Sequence, residues 1–551
     1  MLCYNIQVRQ IRVWFRNFSF CQKEEKMKNV PRILLTVLTA VLLLGAFAYT
    51  AIGISMRAKE VKLPILSIET KREGADSLDF LTEPVSRIVS KELSSIRPDY
   101  IVPPEPYYEE CRVSLRSGDG ELLLKPCNAK VKVRGNWTTY YPKKSLRIKF
   151  SEKQNLLGLN GGAKQKNWVL LAEYKDASML RDKAALYISR EILAEHGLYA
   201  ADADFVQVEV NGNYYGLYLL ADMQQVSDCR IDTTEPPKGY TRTDIGYFLE
   251  YDGYYTYEDE LNSFPLDFAG NAALRVYTGD LNSTRTMEPL PTSEYDAKKP
   301  VGMTIKSDIY SQEQHDYVEA FINNVYRIMY EAAYHDRSFV FDEGCGSISE
   351  TDTITPQQAV ENVVDIQSLV DMYIISELTC DADLYWSSFF MDVDFGPEGS
   401  KKLRFEAPWD FDSSMGNRDR CLDGTGFYAC NVIPDVNGGL SGGGEYDTIN
   451  PWLVVLAYED WYQERIRETW TQIYDSGVFE RCDEMITADA VQLRSEFNKN
   501  YAKWDNIRYQ HAFEHELSEP AKNCRTEAEA AEFLRKWLDS RVSFLNSHWH
   551  T

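Results

Sequence analysis

The chain has 551 residues, 44% hydrophobic and 13% aromatic, enough apolar material for two or three domains or one large elaborated one. Its net charge of −25 excludes a general nucleic-acid binder. The charge is uneven, because residues 1–32 carry seven Lys/Arg against two Glu.

After that basic segment comes an uncharged run, Ile33 to Ile54, long enough to cross a bilayer. Lys23, Lys26, Lys28 and Arg32 flank its start, so the positive-inside rule places residues 1–32 in the cytoplasm and the body outside. A cleavable signal peptide is the rival, but no clean cleavage site follows the run. Met27 begins a stretch that reads like a normal start, which makes residues 1–26 a candidate start-site extension. Residues 55–103 read as a linker with a first strand from Leu63, and the body follows from 104. Nine cysteines lie beyond the apolar run. Cys111–Cys127 and Cys421–Cys430 are disulfide candidates by proximity, and Cys380 is the candidate odd thiol. No CxxC pair points to structural zinc.

Strands are expected at Cys111–Leu115, Glu121–Leu124 and Ala129–Arg134. A turn at Arg134-Gly135-Asn136 leads to a period-2 strand, Lys143 to Phe150. By parity Lys144 shares the face of Leu146, Ile148 and Phe150. A Lys there either meets an anion or snorkels from a frayed strand end. Lys166 to Tyr174 is another strand, and Asp176 or Ser178 can cap a helix running to about Glu195. Arg181 lies near its start. Phe205–Val210, Asn211-Gly212 and Tyr214–Leu220 form a strong hairpin signal. Gly246–Tyr251 adds a strand. Glu313 to about His335 is an amphipathic helix, 340–356 a loop, and Val360 to Thr379 mostly helical.

That helix runs into the acidic stretch Asp381-Ala-Asp383, then Ser388, then Asp392-Val-Asp394. Phe389–Met391 and Leu403–Glu406 read as a hairpin around Gly396-Pro-Glu-Gly399, followed by Trp409-Asp410-Phe411-Asp412 and Gly416-Asn417. Crowded carboxylates repel unless something positive sits between them, so this stretch suits a hard divalent cation or is an acidic solvated surface. Beyond Gly438–Gly444, a glycine-rich loop, the chain is helical from about Asp447, with a last helix from Glu527 to about Phe544.

The ordered series Arg134-Gly-Asn136, Lys143-Lys144-Ser-Leu-Arg147-Ile-Lys-Phe, Trp168-Val-Leu-Leu-Ala, Leu180-Arg181-Asp-Lys183, Asn211-Gly-Asn-Tyr-Tyr-Gly216, Glu377-Leu, Asp383, Phe389 and Trp409-Asp410-Phe-Asp412 resembles the CotH kinase family, named for a spore-coat protein. The resemblance covers roughly 62–545. It implies an α+β class, a divergent protein-kinase-like fold with a β-rich lobe to about 252 and a mostly helical lobe from about 311, here preceded by one transmembrane helix. It also implies phosphorylation of Ser on a surface or coat protein, using ATP and Mg²⁺ or Mn²⁺. The expected partner is a Ser-rich protein substrate.

The resemblance implies Asp383 as catalytic base, and Asp410, Asp412 and Ser388 as metal ligands. It implies nucleotide contacts at Lys144, Arg134, Gly135, Asn136, Arg147 and Arg181. Two positions depart from the family's pattern: Asp381 stands where it tends to Asn, and Ser388 where it tends to the metal-binding Asn. Rival readings are a glycosyltransferase using the two DxD-like pairs, a zinc peptidase from His511-Ala-Phe-Glu514-His515, and a non-enzymatic kinase-like surface protein.

Overall fold

The computed structural model describes residues 61–266, 302–381, 383–384, 386–418, 424–429, 450–507 and 517–551, with the backbone of a few further strands. The segments 1–32 and 33–54, the HxxEH histidines, Cys421, Cys430 and the 438–444 loop lie outside the described residues.

Seven strands open the body: β1 (Ile65–Thr70), β2 (Glu109–Arg116), β3 (Leu122–Val133), β4 (Leu146–Gln154), β5 (Gln165–Leu171), β6 (Ala203–Val210) and β7 (Asn213–Asp222). They close into a barrel of order β1-β2-β3-β4-β5-β7-β6. Every pairing is antiparallel except the closing one, where β1 runs parallel to β6 with Ile65 opposite Gln207. Alternation decides the inside: Leu66, Ile68, Val131, Val133, Leu146, Ile148, Trp168, Val206 and Val208 fill it. The Asn211-Gly212 turn has positive φ at both residues, the geometry that lets a two-residue loop follow strand twist.

On the far face of β5 and β7 packs α2 (Arg181–Ala194), α1 being Arg87–Ile96, and there a second and larger apolar core begins. It contains an antiparallel five-stranded sheet built from β8 (Gly246–Asp252), β9 (Ser263–Pro265), β12 (Gly302–Ile305), β15 (Phe389–Asp394) and β16 (Arg404–Phe405), in the order β16-β15-β8-β12-β9. Between its members lie the ribbon β10 (Arg275–Thr278) with β11 (Thr286–Pro289), and the hairpin β13 (Ser338–Phe341) with β14 (Ile348–Thr351). The helices are α3 (Gln312–His335), α4 (Pro356–Val363), α5 (Ile366–Thr379), α6 (Asp460–Asp475), α7 (Val478–Gln492), α8 (Arg494–Lys503) and α9 (Glu527–Trp549).

Several expectations are corrected. The β-rich lobe of a divergent protein-kinase-like fold is replaced by a closed barrel, because β1 and β6 satisfy each other's edges. No helix among the described residues is long and apolar enough to cross a membrane, so the transmembrane helix of the expected fold and the membrane-anchored, extracytoplasmic location find no support. α3, with 24 residues the longest helix among the described residues, turns one apolar face inward and a polar face out. Cys111 and Cys127 form no disulfide. They are offset by two residues in register, Cys111 facing Ala129 and Cys127 facing Val113. Burial pushes the Cys111 thiol up to about 12.

The expected single helix Val360–Thr379 is two. Val364 bridges Leu403, and Asp365 then caps α5 by accepting from the Ser368 N–H. The expected loop 340–356 contains the β13–β14 hairpin.

Candidate functional site

Two segments meet beside the N-terminus of α2. One is 380–388, joining α5 to β15; the other is 407–418, following β16. They are tied together where the Met415 N–H donates to the Thr379 carbonyl (2.8 Å). Five non-glycine residues in them hold left-handed backbones: Cys380, Ser388, Ala407, Asp410 and Met415, with φ between 47° and 71°. Such conformations cost about 1 kcal/mol or more each, and they persist where surrounding structure imposes them.

The strain positions carboxylates. Asp410 precedes a single 3₁₀ turn, Phe411–Ser413, whose first N–H is received by Asp182 at the start of α2 (2.6 Å). Burial, then Asp412, Asp383 and Asp182, drive the Asp410 carboxyl well above the usual range, against the pull of Arg134. Asp412 is pushed up by burial, with Lys175 pulling the other way and Asp383 adding to the rise. Asp381 is driven up by burial and by Asp383, whose N–H it accepts (3.0 Å). Below these lies Glu173, 4% exposed, with neither carboxylate oxygen receiving a donor. Burial and the neighbouring Asp182 raise it far above its ordinary value, and Asp182 itself rises to about 7 through burial and Asp412. The two carboxyls are disposed to share a proton.

This excess of buried negative charge fits a divalent cation, which would relieve the repulsion among Asp381, Asp410 and Asp412. Among the described residues, however, the set of three ligand-type side chains converging within 4.8 Å is elsewhere, at His315, Asp316 and Glu319 on α3. There Asp316 and Glu319 flank His315 Nδ1 at 3.0 and 3.9 Å. Asp383 is partly open to solvent and accepts from Arg418 Nη1 (3.1 Å).

The predicted cationic residues separate. Arg134 follows β3 with its guanidinium over the Trp409 ring (5.5 Å), in the field of Asp410, Asp182 and Glu250. Its turn is fixed by Gly135 at φ 101°, where a Cβ would overlap Thr138 Oγ1, and by Asn136 Oδ1, which accepts from Ser86 Oγ (2.8 Å). Arg147 lies outward on β4 and donates to Asn167 Oδ1 (3.1 Å). Directly opposite it on β3 is Lys132, a residue that sequence reading did not single out. Like charges in that position repel, and burial followed by Arg147 depresses the Lys132 ammonium.

Lys144, by contrast, is buried near the start of β4 and donates to the Pro84 carbonyl (2.7 Å); burial lowers it to about 8. Its neighbour Lys143 is buried too, donating to the carbonyls of Ala172 and Leu217, and burial lowers it to about 7. Arg181 is 1% exposed and paired with Asp176, which also accepts from the Leu180 and Arg181 N–H groups and so caps α2. Glu191, on the same helix, pairs with Arg481 at the surface (2.7 Å).

The second DxD-like pair is committed to the fold: Asp392 pairs with Arg404 (2.6 Å), and Asp394 receives Thr234 and the Gly396 N–H. Sequence reading also missed an aromatic wall beside Asp383. There Tyr254 meets Trp386 edge-on at 5.5 Å and Gly253 lies flat against the Trp386 ring. Trp386 next to the acidic pair was the available signal.

A family model described as CotH kinase protein matches residues 131–545, three quarters of the chain. The matched span holds both acidic segments, the Arg134 turn and the α2 start. No curated protein matches the chain.

Proposed function

The chain belongs to the CotH kinase family, a kinase-like phosphotransferase family, and from that premise we propose that it transfers the terminal phosphoryl group of ATP to a Ser hydroxyl of a protein substrate. The observation that carries the reading is the charge layout. Crowded buried carboxylates stand on one side of Arg134, while Lys132 and Arg147 stand on the barrel wall and, among the described residues, meet no carboxylate.

In this reading Lys132, Arg134 and Arg147 take the phosphate oxygens, and the Gly135 turn lets the chain approach them closely. Asp410 and Asp412 are the residues that would hold a divalent cation. Such an ion, when bound, neutralises phosphate charge. Asp383 orients the acceptor hydroxyl and takes its proton as the serine oxygen bonds to the terminal phosphorus of ATP and the bond from that phosphorus to the bridging oxygen breaks, releasing ADP. Arg418 keeps the Asp383 carboxylate in one orientation. Lys144 and Arg181 act from behind, the first through the Pro84 carbonyl and the second through the Asp176 cap.

The glycosyltransferase alternative loses weight because Asp392 and Asp394 are already committed to Arg404 and to Thr234 with Gly396. The test is phosphoryl transfer from labelled ATP to casein by wild type, Asp383→Ala and Asp410→Ala. Transfer by wild type with at least a hundredfold loss in both variants is expected. Equal transfer by all three would refute the assignment.

A further inference from the structure

At position 388 the family resemblance implies an amide side chain, and this chain carries Ser. Its surroundings show what the position does here. Ser388 has φ 61°, and its backbone N–H donates to Glu250 Oε1 at 2.9 Å. Glu250 sits in β8 opposite Phe390, between Leu249 and Tyr251, and is 8% exposed. Its other oxygen, Oε2, is paired with Lys306 Nζ at 2.6 Å. Lys306 directly follows β12, so one carboxylate joins three parts of the chain: β8, the end of β12 and the 383–388 loop. Asp252, two residues along β8, accepts from Thr304 Oγ1 (2.8 Å) and pins β12 to β8 from the same side.

Building on the phosphotransferase reading, we infer that Glu250, held by Lys306, is a positioning residue for the 383–388 loop, and that position 388 acts through its backbone N–H rather than its side chain. A left-handed residue in a loop returns to extended or helical geometry once its anchor is lost. The buried carboxylate is that anchor. Lys306 pairs with it and keeps it aimed, since an unpaired carboxylate at that burial would be costly. Asp383 lies five residues before Ser388, and the Trp386 and Ser387 N–H groups both donate to the Asp383 carbonyl. Loosening Ser388 therefore loosens the backbone that aims Asp383. A Ser is sufficient at 388 because the side chain is not what the loop needs.

The test uses the full chain with ATP and casein, comparing wild type with Glu250→Met, Lys306→Met and Ser388→Gly. Glu250→Met, which removes both acceptor oxygens, and Lys306→Met are expected to lower kcat at least tenfold with KM for ATP within twofold, and Lys306→Met, which leaves the carboxylate unpaired, also lowers the melting temperature. Ser388→Gly is expected to keep activity within threefold, since glycine accepts φ 61° freely. Hydrogen exchange over peptides containing 386–390 is expected to speed up in the Glu250 and Lys306 variants, with β5 and β7 peptides unaffected. This arm decides the inference even if wild type transfers no phosphate, a result that would count against the phosphotransferase reading alone. Unchanged exchange at 386–390 in Glu250→Met would overturn the inference, as would a loss above tenfold in Ser388→Gly.

Discussion

Single side chains in this protein work against their own solvation, and pH exposes which ones. Asp182 is held at about 7, far above an ordinary aspartate, by burial and by Asp412. Between roughly pH 4 and 7 the folded chain keeps a proton there that the unfolded chain releases, so this group's contribution to stability falls as pH rises through that window. Asp182→Asn retains an acceptor for the Phe411 N–H and removes the charge. Denaturation of this variant between pH 5 and 8 is expected to show a flatter decline than wild type, by roughly 1–3 kcal/mol. Lys143 has the opposite sign. Its ammonium is depressed to about 7, so the unfolded chain binds the extra proton and stability gains as pH rises from about 7 toward 10.

At the scale of elements, turns and caps set where the site residues point. Gly135 has φ 101° and no room for a Cβ beside Thr138. Gly135→Ala is expected to cost about 1–3 kcal/mol, read by thermal unfolding, and to raise KM for ATP because Arg134 rides on that turn. The Arg181–Asp176 pair is buried at the start of α2, and removing one partner leaves the other uncompensated. Arg181→Met is expected to destabilise by about 3–5 kcal/mol, and the double variant Arg181→Met/Asp176→Asn by less than the sum of the two single changes.

Such local devices were the legible part of the sequence. The Asn211-Gly212 hairpin, the Asp176 cap and the β15–β16 hairpin follow from residues a few positions apart. Barrel closure was not legible, because β1 and β6 meet across about 140 residues with no local signal. Glu250 was invisible for a related reason. An acid amid the aromatic and aliphatic side chains of a strand shows its partners, Ser388 and Lys306, only once the sheet is assembled. The parity argument for Lys144 was right about burial but could not name the Pro84 carbonyl as its acceptor.

Across the whole molecule, the late helices brace what the early strands begin. Arg541 on α9 is fully buried and donates to the Glu377 carbonyl and carboxylate, at 2.8 and 2.7 Å, three residues before the strained Cys380. Trp537 packs against Gly416, and Ser518 donates its hydroxyl to the Gly416 carbonyl and its N–H to the Asn417 carbonyl, holding the second segment. Around α8, Asn500 accepts from the Leu217 N–H while Trp504 donates to the Tyr215 carbonyl, clasping β7 of the barrel. Removal of residues 527–551 is expected to abolish both nucleotide binding and cooperative unfolding, measured by calorimetry.

The Arg541 contact has a consequence for how the protein is made. Glu377 is synthesised 164 residues before the guanidinium that neutralises it. Until that residue emerges from the ribosome, the acidic loop beside it lacks its brace. A nascent chain therefore has no finished acidic site until near the end of translation.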